Sequence, residues 1–266
     1  MKRFWITCIL VYCWSLTALA QQRPILLPQP QSIQYGQGAL PLQNLTIHVA
    51  PKVPADVLFA LNELKKILSE RTGKTITPSS SANTATIRYS VKTSGQELPE
   101  TQEATNGNHR EQYAITISAK GLDITAQTST GLYYAIQTIR QLIQGQGAKA
   151  TLPFVTINDQ PKLAYRGVMM DFAHGGLLTV DEIKKQIDFL ARWKTNQCYF
   201  YNEVSIQLNG FPTLNYKASY SQAQIRSVIA YARERHMDVI PFVNFYGHLH
   251  ELIRNEKYAS IGRAHV

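Results

Sequence analysis

Three stretches decide the fold: Tyr165-Arg166-Gly167-Val168-Met169-Met170-Asp171-Phe172-Ala173-His174, Cys198-Tyr199-Phe200-Tyr201-Asn202-Glu203, and Val239-Ile240-Pro241-Phe242-Val243-Asn244-Phe245-Tyr246-Gly247-His248. Each is an apolar, β-branched or aromatic run that ends in a cluster of polar residues. Helical patterns follow the first two. Thr179-Val180-Asp181-Glu182 has the Ser/Thr-x-x-Glu form that caps free amides at a helix start, and Ile183, Ile187, Leu190 and Ala191 then make one apolar stripe. Ser221-Gln222-Ala223-Gln224 repeats the device ahead of Ile225, Val228, Ile229 and Ala232.

The resulting order, β-α-β-α-β with a third strand over about Met237–Phe245, predicts an α/β fold with a parallel sheet. Three strands cannot close a barrel, which needs eight strands and about 250 residues. The sheet is therefore either small and open or the start of an unfinished (β/α)8 barrel. In parallel sheets, ligands bind at the carboxyl ends of the strands. Those ends hold the candidate site residues: Asp171 and His174 after the first strand, Asn202 and Glu203 after the second, His248 after the third.

Arg166 lies inside the first run, where an unpaired charge is expensive. Two readings stand: a buried ion pair with Asp171 or another carboxylate, or a guanidinium fork that grips sugar hydroxyls or an anion. Glu203 reads either as a solvated charge or as a substrate-binding carboxylate. His248-Leu249-His250 is a weak zinc pattern, since no third ligand is evident beside it.

Residues 21–160 have a different rhythm. A helix is predicted over Ala55–Thr72, with Val57, Leu61, Leu64 and Leu68 on one face and Gly73 as its stop. Strands are expected at Leu45–Val49, Thr86–Val91, Tyr113–Ile117 and Leu122–Ala126, the last two joined as a hairpin through Ser118–Gly121. A second helix carries Leu132, Ala135, Ile136, Ile139 and Ile143. Gly95–Arg110 is polar and reads as a loop. This grouping suggests a small α+β domain with no catalytic constellation of its own.

At these residues the chain resembles glycoside hydrolase family 20, the β-N-acetylhexosaminidases. Pro161-Lys162-Leu163-Ala164-Tyr165-Arg166-Gly167-Val168-Met169-Met170-Asp171 resembles the family's approach to its first barrel strand. Leu122–Ala126 with Thr130–Ile139 resembles the end of the family's amino-terminal domain, and Leu152-Pro153 with Val155–Asp159 resembles the linker between domains. After a signal peptide at 1–20, read from its own pattern, the resemblance implies an α+β domain at 21–160 and the first three βα units of a (β/α)8 barrel at 161–266.

It also implies an exo-acting, retaining enzyme that removes terminal N-acetylglucosamine or N-acetylgalactosamine without a cofactor. In that substrate-assisted mechanism the substrate's acetamido oxygen attacks the anomeric carbon. The resemblance casts Arg166 and His248 as sugar-binding residues, with Asp171 and Glu203 as further substrate contacts. The family's His-x-(Thr/Ser)-Asp-Asp on strand two is here Tyr199-Phe200-Tyr201-Asn202-Glu203. The catalytic Asp-Glu pair belongs after a fourth strand, beyond Val266, so the chain alone is expected to be inactive. The rival readings are a zinc-dependent barrel hydrolase using His248 and His250, and a non-catalytic amino-sugar-binding module.

Lys2-Arg3, the apolar Phe4–Leu16 and Ala18-Leu19-Ala20 read as a secretory signal cleaved before Gln21, and predict a periplasmic or extracellular location. The apolar run is too short for a good membrane span. Cleavage would remove Cys8 and Cys13 and leave Cys198, expected to be a small buried hydrophobe. The net charge of +9 falls to +7 without Lys2 and Arg3 (25 basic against 18 acidic residues). It is spread thinly, without the clustered basic face of a nucleic-acid binder. Amino-sugar glycans are the expected partners; no nucleic-acid, membrane or protein partner is inferred.

Overall fold

The computed structural model describes residues 23–93, 109–203, 205–215, 218–243, 256–258 and 260. In the first half, strands β1 (Ser32–Pro41), β2 (Thr46–Ile47), β3 (Thr77–Pro78), β4 (Ile87–Val91), β5 (Tyr113–Ser118), β6 (Gly121–Ala126) and β7 (Thr151–Asp159) form one sheet in the order β1-β7-β5-β6-β4-β2-β3. Helices α1 (Ala55–Thr72) and α2 (Ser129–Leu142) pack against each other, and α2 lies against β5, β6 and β7. The alternation along β5 puts Tyr113, Ile115 and Ile117 into the core.

Helix α1 spans the predicted residues because its apolar stripe (Val57, Leu61, Leu64, Leu68) is buried and Gly73 takes the left-handed C-cap conformation. The β5–β6 hairpin turns at Gly121 with φ +124°, where a Cβ would run into the Thr86 carbonyl. Helix α2 is buried on nearly every side. A helix enclosed this way is an interior one, covered on its outer flank as well as by the sheet.

Two strands differ from the sequence expectation. Residues 152–159, expected to be a linker, are β7, which pairs antiparallel with β1 on one side and β5 on the other. Strand β1 was not foreseen at all. Its register shifts between Tyr35 and Ala39, and Gly38 (φ +102°) sits against the Phe154 ring. The bulge and the Gly/Gln-rich composition hide its alternation.

The second half contains β8 (Gly167–Asp171), α3 (Val180–Arg192), β9 (Gln197–Tyr201), α4 (Gln222–Glu234) and β10 (Asp238–Phe242). The three strands are parallel in the order β8-β9-β10, as the pattern predicts. Ile183, Ile187 and Ala191 of α3 and Val228 and Ala232 of α4 are buried. The Ser221–Gln224 capping box forms in full. At Thr179 only half of it forms, because the Glu182 carboxylate turns to Lys185 and Gln186 instead. Among the described residues, no helix is long and apolar enough to cross a membrane.

The ends of α3 and α4 share an unusual feature. In each, the two final turns close by paired bonds: Lys194 N to Ala191 O and Thr195 N to Leu190 O, then His236 N to Arg233 O and Met237 N to Ala232 O. The residue at the centre is left-handed in both, Lys194 at φ 60° and His236 at φ 57°. Glycine is the usual occupant of this position, and a side chain there costs about 1 kcal/mol or more.

Candidate functional site

The carboxyl ends of the parallel strands are level, since Asp171 pairs with Tyr201 and Tyr201 with Phe242. Beyond β8 the chain turns around the Asp171 carboxylate. Its Oδ1 accepts from Ala173 N (2.8 Å) and His174 N (3.0 Å), and its Oδ2 lies 2.9 Å from His174 Nδ1. The backbone amide of Ala173, the His174 ring and the His174 amide hold the Asp171 carboxyl below its ordinary range. The same hydrogen bond to Asp171 raises the His174 imidazole above its ordinary value. Toward weakly acid pH the pair is therefore a carboxylate and an imidazolium.

The His174 ring stacks on Tyr201 with centroids 5.7 Å apart and planes at 14°. The Tyr201 hydroxyl donates to Glu203 Oε1 at 2.9 Å. Asn202 shapes the next turn by accepting from Ser205 N and Oγ. Asp171, His174, Tyr201 and Glu203 thus form one continuous polar cluster, with the Asp171 and His174 side chains about half exposed (46% and 59%). An oriented imidazole, a carboxylate and a phenol supply both donors and acceptors to a polar ligand.

Arg166 lies at the other end. Five residues of strand separate it from Asp171, roughly 17 Å of chain. Its Nη2 donates to Glu111 Oε2 at 2.6 Å, its Nε to Lys194 O at 2.8 Å, and its Nη1 to Leu163 O at 2.7 Å. Its guanidinium also faces the Tyr134 ring. The guanidinium is thus held by an internal carboxylate and by the carbonyls of Lys194, Leu163 and Ala164 at the amino end of β8. Of the two sequence readings, the buried ion pair is the one found, with Glu111 rather than Asp171 as partner.

Glu111 is fully buried and serves three donors, Arg166, Arg110 and Asn196 Nδ2. Asn196 in turn accepts from Arg166 N (2.8 Å) and donates to Ala164 O (2.6 Å). Nearby, Lys194 Nζ reaches Asp159 Oδ2 (3.0 Å) and the Tyr113 hydroxyl (2.7 Å). Burial opposes ionisation of Asp159. The Lys194 charge and the bonds from Tyr113, Lys194 and Gln31 outweigh it, and the carboxyl stays below its ordinary range.

A model of "Glycosyl hydrolase family 20, domain 2" matches residues 23–160, and one of "Glycosyl hydrolase family 20, catalytic domain" matches 163–264. The chain belongs to glycosyl hydrolase family 20. Relatives in this family include a beta-hexosaminidase of Porphyromonas gingivalis, 29% identical over 162 residues, covering 52% of this chain and 21% of the relative. A beta-hexosaminidase of Vibrio vulnificus is 23% identical over 256 residues, covering 84% of this chain and 28% of the relative. The chain therefore spans under a third of the length of either. Among solved structures, Streptomyces plicatus N-acetyl-beta-hexosaminidase in complex with Thio-NAglucal shares the fold, with a TM-score of 0.72 at 23% identity over 88% of this chain and 49% of that one.

In this family-20 chain the remaining sequence-based site residues divide as follows. Asp171 and Glu203 come together at the strand ends. His248 and His250 lie outside the described residues. Cys198 is fully buried in β9, and burial pushes its thiol up to about 12. Among the described residues, no cluster of three or more His, Cys, Asp or Glu could hold a metal. Sequence reasoning missed Glu111, Asp159, Lys194 and His236. Only their charge inside otherwise apolar or helix-terminal contexts could have signalled them.

Proposed function

We propose that this chain is the amino-terminal part of an exported, exo-acting β-N-acetylhexosaminidase. Residues 21–160 would be its α+β domain and 161–266 the first three βα units of its (β/α)8 barrel. The observation that carries the reading is the polar cluster at level strand ends, in a chain that two family-20 models match across both halves. Asp171, His174 and Glu203 would contact hydroxyls of a terminal N-acetylglucosamine or N-acetylgalactosamine, and His248 would join them from the third strand. Bond cleavage itself needs an Asp-Glu pair on a fourth strand: the Asp polarises the acetamide for attack on the anomeric carbon, and the Glu protonates the leaving oxygen.

The test is release of N-acetylhexosamine from a chromogenic β-glycoside by the full-length protein. Turnover with retention supports the reading. No turnover from a full-length protein that carries the pair overturns it.

A further inference from the structure

The two left-handed residues at the ends of α3 and α4 both point into the first half of the molecule, but they are satisfied differently. Lys194 inserts its ammonium between Asp159 and Tyr113, where a carboxylate balances its charge. His236 inserts its ring against α2, with Nδ1 3.0 Å from Thr130 Oγ1 and the ring 5.3 Å from that of Tyr133. Its Nε2 is buried and has no hydrogen-bond partner among the described residues. A side chain kept where glycine is usual is there for what it contacts across the interface.

We propose that His236 is an acid-sensitive latch between the two halves, so that protonation of its ring releases the α4–β10 turn from α2. A neutral imidazole can leave one nitrogen unpaired as an acceptor. An imidazolium has two N–H donors, and here one of them would be buried with no acceptor. The groups that face the ring do not supply one. From α1, the Asp56 charge favours protonation; from the turn before β5, the Arg110 charge opposes it. From α2 come the Thr130 hydroxyl and the Tyr133 ring; Arg235 and Asp238 are the charged groups nearest to it in the chain. Arg235 is held elsewhere, paired with Asp188 and lying over the Phe59 and Tyr231 rings.

Burial dominates this balance and holds the ring at about 4, against 6.5 when free. The sign follows from linkage. The released turn takes up a proton below its ordinary value while the docked turn does not, so docking is fully stable above about 6.5 and weakens as pH falls toward 4. Lys194 keeps its partner over this range, because Asp159 is held below the ordinary carboxylate value. Acid therefore loosens the α4 side of the interface and spares the α3 side.

Hydrogen exchange of the 266-residue chain, corrected for intrinsic rates, tests this at about pH 7.5 and about pH 4. Peptides over 128–136 and 232–240 should lose protection by on the order of 100-fold at the lower pH, while those over 190–198 keep theirs. His236→Asn, which tolerates the left-handed conformation and cannot be protonated, should remove the difference. Equal loss at both turns, or an unchanged profile in the variant, overturns the proposal. Should the variant not fold, NMR titration of the wild-type ring decides: a ring that titrates near its free value while the turn stays protected also overturns it.

Discussion

The amino and carboxyl ends of the same three strands are built on opposite principles. At the amino end, Arg166, Glu111, Asn196, Lys194 and Asp159 are buried or nearly so, and their charges are matched by partners from the other half of the chain. At the carboxyl end, Asp171, His174, Tyr201 and Glu203 contact one another, and the Asp171–His174 pair is open to solvent. A charge removed from water must be paired at once, so the amino end is structural. An exposed, oriented pair can exchange solvent for a ligand, which is why the proposed substrate contacts are at the carboxyl end.

Substitution can break this comparison, and the largest effect is expected at Glu111. Glu111→Leu strands Arg166 and Asn196 and should cost about 4 kcal/mol in urea unfolding. A cost under about 1 kcal/mol would mean that water already reaches this network. Lys194→Met comes next, at about 3 kcal/mol near neutral pH, since Tyr113 and Gln31 still donate to Asp159. The pair's contribution is present above the ordinary carboxylate value of 3.8 and is lost as pH falls below it, through the depressed value of Asp159. The stability gap between wild type and variant should therefore narrow in strong acid.

Effects at the carboxyl end should be smaller. Tyr201→Phe removes one hydrogen bond to Glu203 and should cost about 1 kcal/mol. Asp171→Asn should leave the unfolding midpoint in place. It should lower the His174 pKa toward its ordinary value in an NMR titration, and a full-length enzyme carrying it should show a raised KM. A large loss of stability instead would make this cluster structural too, and the contrast between the two ends would collapse.

Much of this was legible in the residues. The stripe of α1, the β5–β6 hairpin, the capping residues Thr179 and Ser221 and the order β8-α3-β9-α4-β10 all follow from patterns within a few residues of each other. Of the candidate site, Asp171 and Glu203 were placed correctly at strand ends. Arg166 lies apart from them, as its distance from Asp171 implies: five positions along a strand reach its opposite end and its opposite face. Strands β1 and β7 escaped because a bulge and a Pro-interrupted run conceal their period; pairing with distant β5 makes β7 a strand, and pairing with β7 makes β1 one.

By itself the sequence determined the local elements, their parallel order and the family, because hydrophobic period, caps and turn residues act over short spans of chain. Only the tertiary structure decided which charges are structural. Arg166 meets Glu111 across 55 positions, Lys194 meets Tyr113 across 81, and His236 meets Thr130 across 106. Whether a charge is paired, stranded or left in water depends on the low-dielectric neighbourhood that folding assembles, and no local pattern encodes that neighbourhood.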